Sequence, residues 1–145
     1  MLQIGIELCC LTILSAADWK TKRVSIGLLA LCCVGMVVFP IGKLFHDSAG
    51  LAECLRALAP GLLLLLISLA TRQAGYADGI LLLALGVACR EGIMMIFLYS
   101  LILMALTAIG LLIMKRADRR TALPYIPFVL LGWILWRMTG GLVWI

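Results

Sequence analysis

Six apolar runs separated by charge constrain this chain more than any other feature. They lie at Leu2–Ala17, Val24–Pro40, Leu51–Thr71, Gly79–Cys89, Ile93–Met114 and Leu123–Ile145. A straight helix needs about 20 residues to cross a hydrocarbon core of ~30 Å, so several of the runs are short. A soluble domain would have to hide these faces in its own interior. In 145 residues, 65% hydrophobic and 13% charged, there is not enough interior to do so. The expected fold is therefore an all-α integral membrane protein, a bundle of about six transmembrane helices forming a single embedded domain over 1–145. No internal repeat, low-complexity tract or soluble linker interrupts it. The first run ends in Asp18 and a basic cluster, which is not how a cleavable signal ends. Pro60 is expected to kink the third helix and leave its first half as an amphipathic interfacial segment.

Orientation follows from the distribution of Lys and Arg. Lys20, Lys22, Arg23, Arg72, Lys115, Arg116, Arg119 and Arg120 fall on one side of a six-span layout, and only Lys43, Arg56 and Arg90 on the other. Eight against three places the basic loops in the cytoplasm and both termini outside, in a multi-pass protein of the cell membrane. The fourth run is too short for this layout. Eleven residues separate Asp78 from Arg90, about 16 Å of helix at 1.5 Å per residue. With Arg90 at the outer surface, Asp78 starts well inside the membrane. Irregular backbone at such depth must be packed in protein or line a wet cavity, so Gly75-Tyr76-Ala77-Asp78 is expected to form a sunken turn open to the cytoplasm.

Two carboxylates share that side. Asp18, just after the first run and beside Lys20, Lys22 and Arg23, reads on its own as a solvated boundary anchor. Asp78 is harder to dismiss, because an ionisable group at membrane depth is expensive and marks a functional site by default. It also has a structural reading as the N-cap of the fourth helix. The small residues Gly75 and Ala77, and later Ala84 and Gly86, suit close backbone packing.

Three segments carry a more specific signal. Asp18-Trp19-Lys20-Thr21-Lys22-Arg23-Val24 resembles the first motif of the type IV prepilin peptidases, an Asp followed by basic residues and an aliphatic position. Gly75-Tyr76-Ala77-Asp78, followed by Leu81-Leu82-Leu83-Ala84-Leu85-Gly86, resembles the second, the Gly-x-Gly-Asp signature of membrane aspartic proteases. Leu123-Pro124-Tyr125-Ile126-Pro127-Phe128, with Gly132 after it, is similar to the Pro-x-x-Pro-Phe segment of the last helix. The three occur in the family's order and span nearly the whole chain. The departures are Ser25 and Ile26 where Pro and Asn are frequent, Ala77 for the second Gly, and Ile80 where many members carry a Lys. No soluble methyltransferase region with paired cysteines precedes the first run, so N-methylation is not implied.

The resemblance implies an aspartic endopeptidase whose catalytic residues are Asp18 and Asp78. Its substrate would be a prepilin-like precursor with a basic leader in the cytoplasm and a helix in the membrane. Two close carboxylates cannot both ionise easily, and burial adds to this, so Asp78 is expected to favour its protonated form. No cofactor, metal or nucleic-acid partner is expected. Cys9, Cys10, Cys32, Cys33, Cys54 and Cys89 form no C-x-x-C, His46 is the only histidine, and the cysteines read as small apolar residues. The remaining partner is membrane lipid, to which Lys20, Lys22 and Arg23 are suited, although they could also meet an acidic group on the substrate.

Elsewhere, Glu7 and Arg137 are expected to pair within the outer half of the bundle. His46 is expected in a solvated outer loop, and Trp133, Trp136 and Trp144 at lipid-facing or interfacial positions. Two alternatives compete with the peptidase: a non-catalytic homologue that binds pilin-like helices, and a small transporter using Glu7, Asp78 and Arg137. Nothing in the sequence sets the oligomeric state.

Overall fold

In the computed structural model, which describes residues 2–21, 24–46, 51–71, 75–114 and 123–143, the runs become six α-helices. They are α1 (Leu2–Thr21), α2 (Ile26–His46), α3 (Leu51–Thr71), α4 (Tyr76–Cys89), α5 (Ile93–Ile113) and α6 (Ile126–Val143), with a 3₁₀ turn over Arg90–Gly92 between α4 and α5. No strand occurs among the described residues.

The helix limits differ from the apolar runs for identifiable reasons. α1 continues past Ala17 through Asp18 and Lys20 to Thr21, because hydropathy marks where apolar surface ends and not where backbone bonding ends. A cation in the last turn also suits the negative end of the helix. α2 passes through Pro40 and reaches His46, so His46 is the last helical residue and not part of an outer loop. Proline removes one N–H bond to the preceding turn, a loss that apolar helices tolerate when neighbours compensate; Pro40 is buried. α3 likewise runs through the buried Pro60. α6 begins three residues later than its apolar run. Pro127 falls in its first turn, where a missing N–H costs least, and the Tyr125 carbonyl accepts from the N–H groups of Phe128 at 3.0 Å and Val129 at 3.2 Å.

α4 is the central element, packed against α2 and α3, while α5 packs on α6 and α1 bridges α2 and α6. Leu81, Leu82 and Leu85 of α4 are fully buried, against Leu11 and Leu14 of α1, Ile96 of α5 and Val129 of α6. Gly86 permits the tightest crossing: a Cβ there would run into the Ala57 carbonyl oxygen of α3. Close approach between helices is what small residues supply where lipid removes the hydrophobic drive. The outward faces are apolar, as at Leu106 and Ile113, which are 61% and 77% exposed. Two helices, at Leu2–Lys20 and Ile93–Ile113, are long and apolar enough to cross a membrane, and the others carry apolar stretches of 10–17 residues.

A buried polar layer ties α1, α4 and α6 at one end of the bundle. Glu7, 1% exposed, accepts hydrogen bonds from Trp133 Nε1 at 3.1 Å, Gln3 Nε2 at 3.0 Å and the Cys89 thiol at 3.6 Å. Gln3 also donates to the Ala88 carbonyl at 3.2 Å. The expected Glu7–Arg137 ion pair is absent among the described residues. The Arg137 guanidinium instead lies over the rings of Trp133, 5.6 Å from its centroid, and Trp136, at 5.0 Å. Trp133 is therefore a buried donor and not a lipid anchor: an indole N–H taken into the interior needs an acceptor, and Glu7 is that acceptor. Trp144 lies outside the described residues.

Candidate active site

The other end of the same three helices carries both aspartates. Asp18 lies in the last turn of α1, and it is buried, at 8% exposure. It is therefore not the solvated anchor that its basic neighbours suggest. Its Oδ2 accepts the backbone N–H of Ile126 at 3.2 Å, from the first residue of α6. The first N–H groups of a helix have no partner within it, so a carboxylate here satisfies an orphan donor and meets the positive end of the helix.

Asp78 enters from α4. The expected sunken turn is in fact the start of this helix, with Gly75 as its N-cap in an extended conformation and Tyr76 as its first residue. Asp78 occupies the first turn and is not the cap: its own N–H bonds to the Gly75 carbonyl at 3.1 Å, and no side chain caps the helix. Gly75 has a steric reason to be small, since a Cβ there would sit 3.2 Å from Asp78 Oδ2. The half-buried Asp78 side chain interacts electrostatically with Asp18, so the structure brings the two predicted residues into one site.

Tyr125, immediately before α6, completes the constellation and was given no role by sequence reasoning. It is buried, its hydroxyl lies 2.9 Å from Ser100 Oγ on α5, and it interacts electrostatically with Asp78. Ser100 also places Tyr125 along α5. α5 continues from Ser100 to Ile113, a further thirteen residues or about 20 Å of helix, so this helix extends well past the Tyr125 contact. The signal for Tyr125 was present as a lone phenol between two prolines in an apolar run, since a buried phenol needs a hydrogen-bond partner. Ile126 acts through its backbone, which no side-chain pattern reveals.

The chain matches the type IV leader peptidase family over residues 6–109. It belongs to that family. No curated protein and no solved structure matches it. The leader peptidase match includes Asp18 and Asp78 and ends before Tyr125 and Ile126. One departure from the leader peptidase pattern loses its force in the structure. Ile80 lines an apolar groove with Cys33, Val37, Leu58 and Leu62, and at 100° per residue it points about 200° around α4 from Asp78. The Lys found there in many members would not lie beside Asp78 here. Of the eight basic residues that set the orientation, Lys20 is exposed in α1; Lys22, Arg23, Arg72, Lys115, Arg116, Arg119 and Arg120 lie outside the described residues.

Proposed function

We propose that the chain is a membrane-embedded aspartic endopeptidase that removes the leader of prepilin-like precursors at the cytoplasmic face, with Asp18 and Asp78 as its catalytic pair. The observation that carries this reading is the meeting of two carboxylates, sixty residues apart in sequence, at the ends of α1 and α4. Burial of one carboxylate has many structural explanations; a second, half-buried carboxylate within its electrostatic reach opposes folding and needs a reason. The membrane location is supported by α5, which is almost wholly apolar yet turns most of its surface outward. A soluble core helix of that composition would be enclosed.

The chemistry balances within the pair. The ionised carboxylate takes a proton from water as the water oxygen bonds to the scissile carbonyl carbon, and the protonated partner gives its proton to the carbonyl oxygen. On collapse of the diol, the first carboxyl protonates the departing nitrogen and the second recovers its proton, restoring the starting state. The precursor's basic leader would remain at the cytoplasmic boundary, with its apolar helix among the exposed faces of the bundle. The test is co-reconstitution with a prepilin-like precursor, following loss of the leader by mass. Cleavage by the unaltered chain, lost in Asp18→Asn and in Asp78→Asn, is the expected result. Precursor binding without cleavage would favour a non-catalytic binder.

A further inference from the structure

The end of the bundle away from the aspartates holds a pocket that the peptidase reading does not use. It has a volume of about 370 Å³, the size of a small-molecule site. Its lining residues are Glu53 and Arg56 of α3, Arg90 of the 3₁₀ turn and Met94 of α5. Among the described residues, Arg90 is the one non-glycine with a positive φ, 28°. L side chains rarely adopt that conformation, and a glycine would suit it better; strain of this kind collects where a side chain has a task. The turn is held from two sides. The Arg90 N–H bonds to the Gly86 carbonyl, and Gly92 packs so closely on Trp136 that a Cβ would collide with the indole. The pocket is therefore preformed, with two guanidinium groups and one carboxylate in its wall.

Charge and shape together narrow the ligand. Arg56 and Arg90 offer planar forks that match phosphate oxygens, and Glu53 offsets only one of them. Glu53 carries acceptors alone, so it suits a cation with protons to donate. A primary ammonium has three such protons, whereas a quaternary one has none and favours aromatic cages; none of the lining residues is aromatic. Met94 adds the apolar part. It begins a row of exposed side chains on α5, Met94, Leu98 and Ile102, which lie four residues apart on one face and run about 12 Å along the helix. A zwitterionic head beside an apolar track is the outline of an aminophospholipid.

We propose that this pocket binds a phosphoethanolamine lipid, with its phosphate between Arg56 and Arg90, its ammonium on Glu53 and one acyl chain along Met94, Leu98 and Ile102. The bound lipid ties α3 to the start of α5 at the corner that the strained turn forms. The site stands apart from the peptidase reading, because Arg90 lies twelve positions beyond Asp78 along α4, about 18 Å of helix. A ligand that binds only the folded chain also stabilises it, so the lipid should raise the thermal midpoint.

The test uses the full chain in detergent, stripped of lipid and offered dioleoyl lipids with ethanolamine, glycerol or choline headgroups, with adducts counted by native mass spectrometry. One ethanolamine lipid should stay bound per chain, preferred about fivefold or more over each of the others. Arg56→Gln should weaken retention of the ethanolamine and glycerol lipids alike. Glu53→Gln should erase the preference between those two while leaving the phosphate contacts. Both side chains are exposed, so the lipid-free thermal midpoint of each variant should match that of the unaltered chain. Equal retention of the three lipids by the unaltered chain, or a preference that survives Glu53→Gln, would overturn the proposal. Glycerophosphoethanolamine, which has the same head and no acyl chains, should not displace the lipid at equal concentration. Displacement there would defeat the lipid as occupant and point to a soluble phosphate ester.

Discussion

α1, α4 and α6 each contribute twice to the interior, and the two polar layers they build differ in one respect that separates structure from chemistry. Glu7 and Asp18 lie eleven residues apart on α1, and Cys89 and Asp78 eleven apart on α4, about 16 Å in each case. Trp133 and Ile126 occupy the corresponding levels of α6. Leu11, Leu14, Leu81, Leu82, Leu85 and Val129 fill the space between them. In the Glu7 layer a single carboxylate receives three donors, from Trp133, Gln3 and Cys89. In the Asp18 layer two carboxylates lie within electrostatic reach of each other and, among the described residues, the backbone N–H of Ile126 is bonded to Asp18. The first layer holds one carboxylate surrounded by neutral donors, an arrangement that a structural role explains. The second brings two carboxylates near each other, which is the condition under which a carboxyl pair shares a proton and can move it.

The largest effects should come from the layer with two carboxylates. Asp18→Asn and Asp78→Asn are each expected to reduce cleavage by on the order of 10³-fold or more, since each removes one half of a unit. Folding should change little, as Asn preserves size and polarity. Cleavage assays read beside thermal midpoints in the same detergent check both halves of that expectation.

The Glu7 layer should respond in the opposite way. Glu7→Ala leaves the Trp133 N–H, Gln3 and the Cys89 thiol without their acceptor, and unmet buried donors cost about 1–3 kcal/mol. The midpoint should fall, while cleavage per folded molecule stays near that of the unaltered chain. A Glu7 variant that folds normally yet loses cleavage would break the comparison and bring the transporter alternative forward. Trp133→Phe, which removes one donor to Glu7, should cost about 1 kcal/mol with cleavage retained.

The pH dependence sharpens the same contrast. A pair that works with one proton between its members is inactive when both are ionised and when both are protonated, so cleavage should rise and then fall across the range. The two limbs belong to the pair. A rate that stays flat from about pH 4 to about pH 9, with chemistry limiting, would contradict a shared proton. Glu7→Gln should leave both limbs in place.

Much of the arrangement was legible from local pattern. Runs of apolar residues gave six helices, and the short run after Asp78 became the shortest of them, α4. Helix ends were less legible, because Asp18, Pro40 and the Gly75–Asp78 segment all lie where hydropathy changes without the backbone bonding changing with it. The partners of Glu7 were misassigned for a different reason. Charge complementarity suggested Arg137, but a buried carboxylate can be satisfied by neutral donors, and the guanidinium found aromatic faces instead. The Ile126 N–H and the Tyr125–Ser100 bond depend on how α6 docks against α1 and α5, a tertiary outcome that spacing along one helix does not encode.

The central claim is that Asp18 and Asp78 act as one unit, and a double-mutant comparison tests it most directly. Cleavage of a prepilin-like precursor would be measured for Asp18→Asn, Asp78→Asn and the double variant, all reconstituted at equal folded concentration. One unit predicts that the double variant cleaves no more slowly than either single one, because removing either member already disables the pair. Losses that multiply, or a single variant that retains most of its cleavage, would contradict the claim.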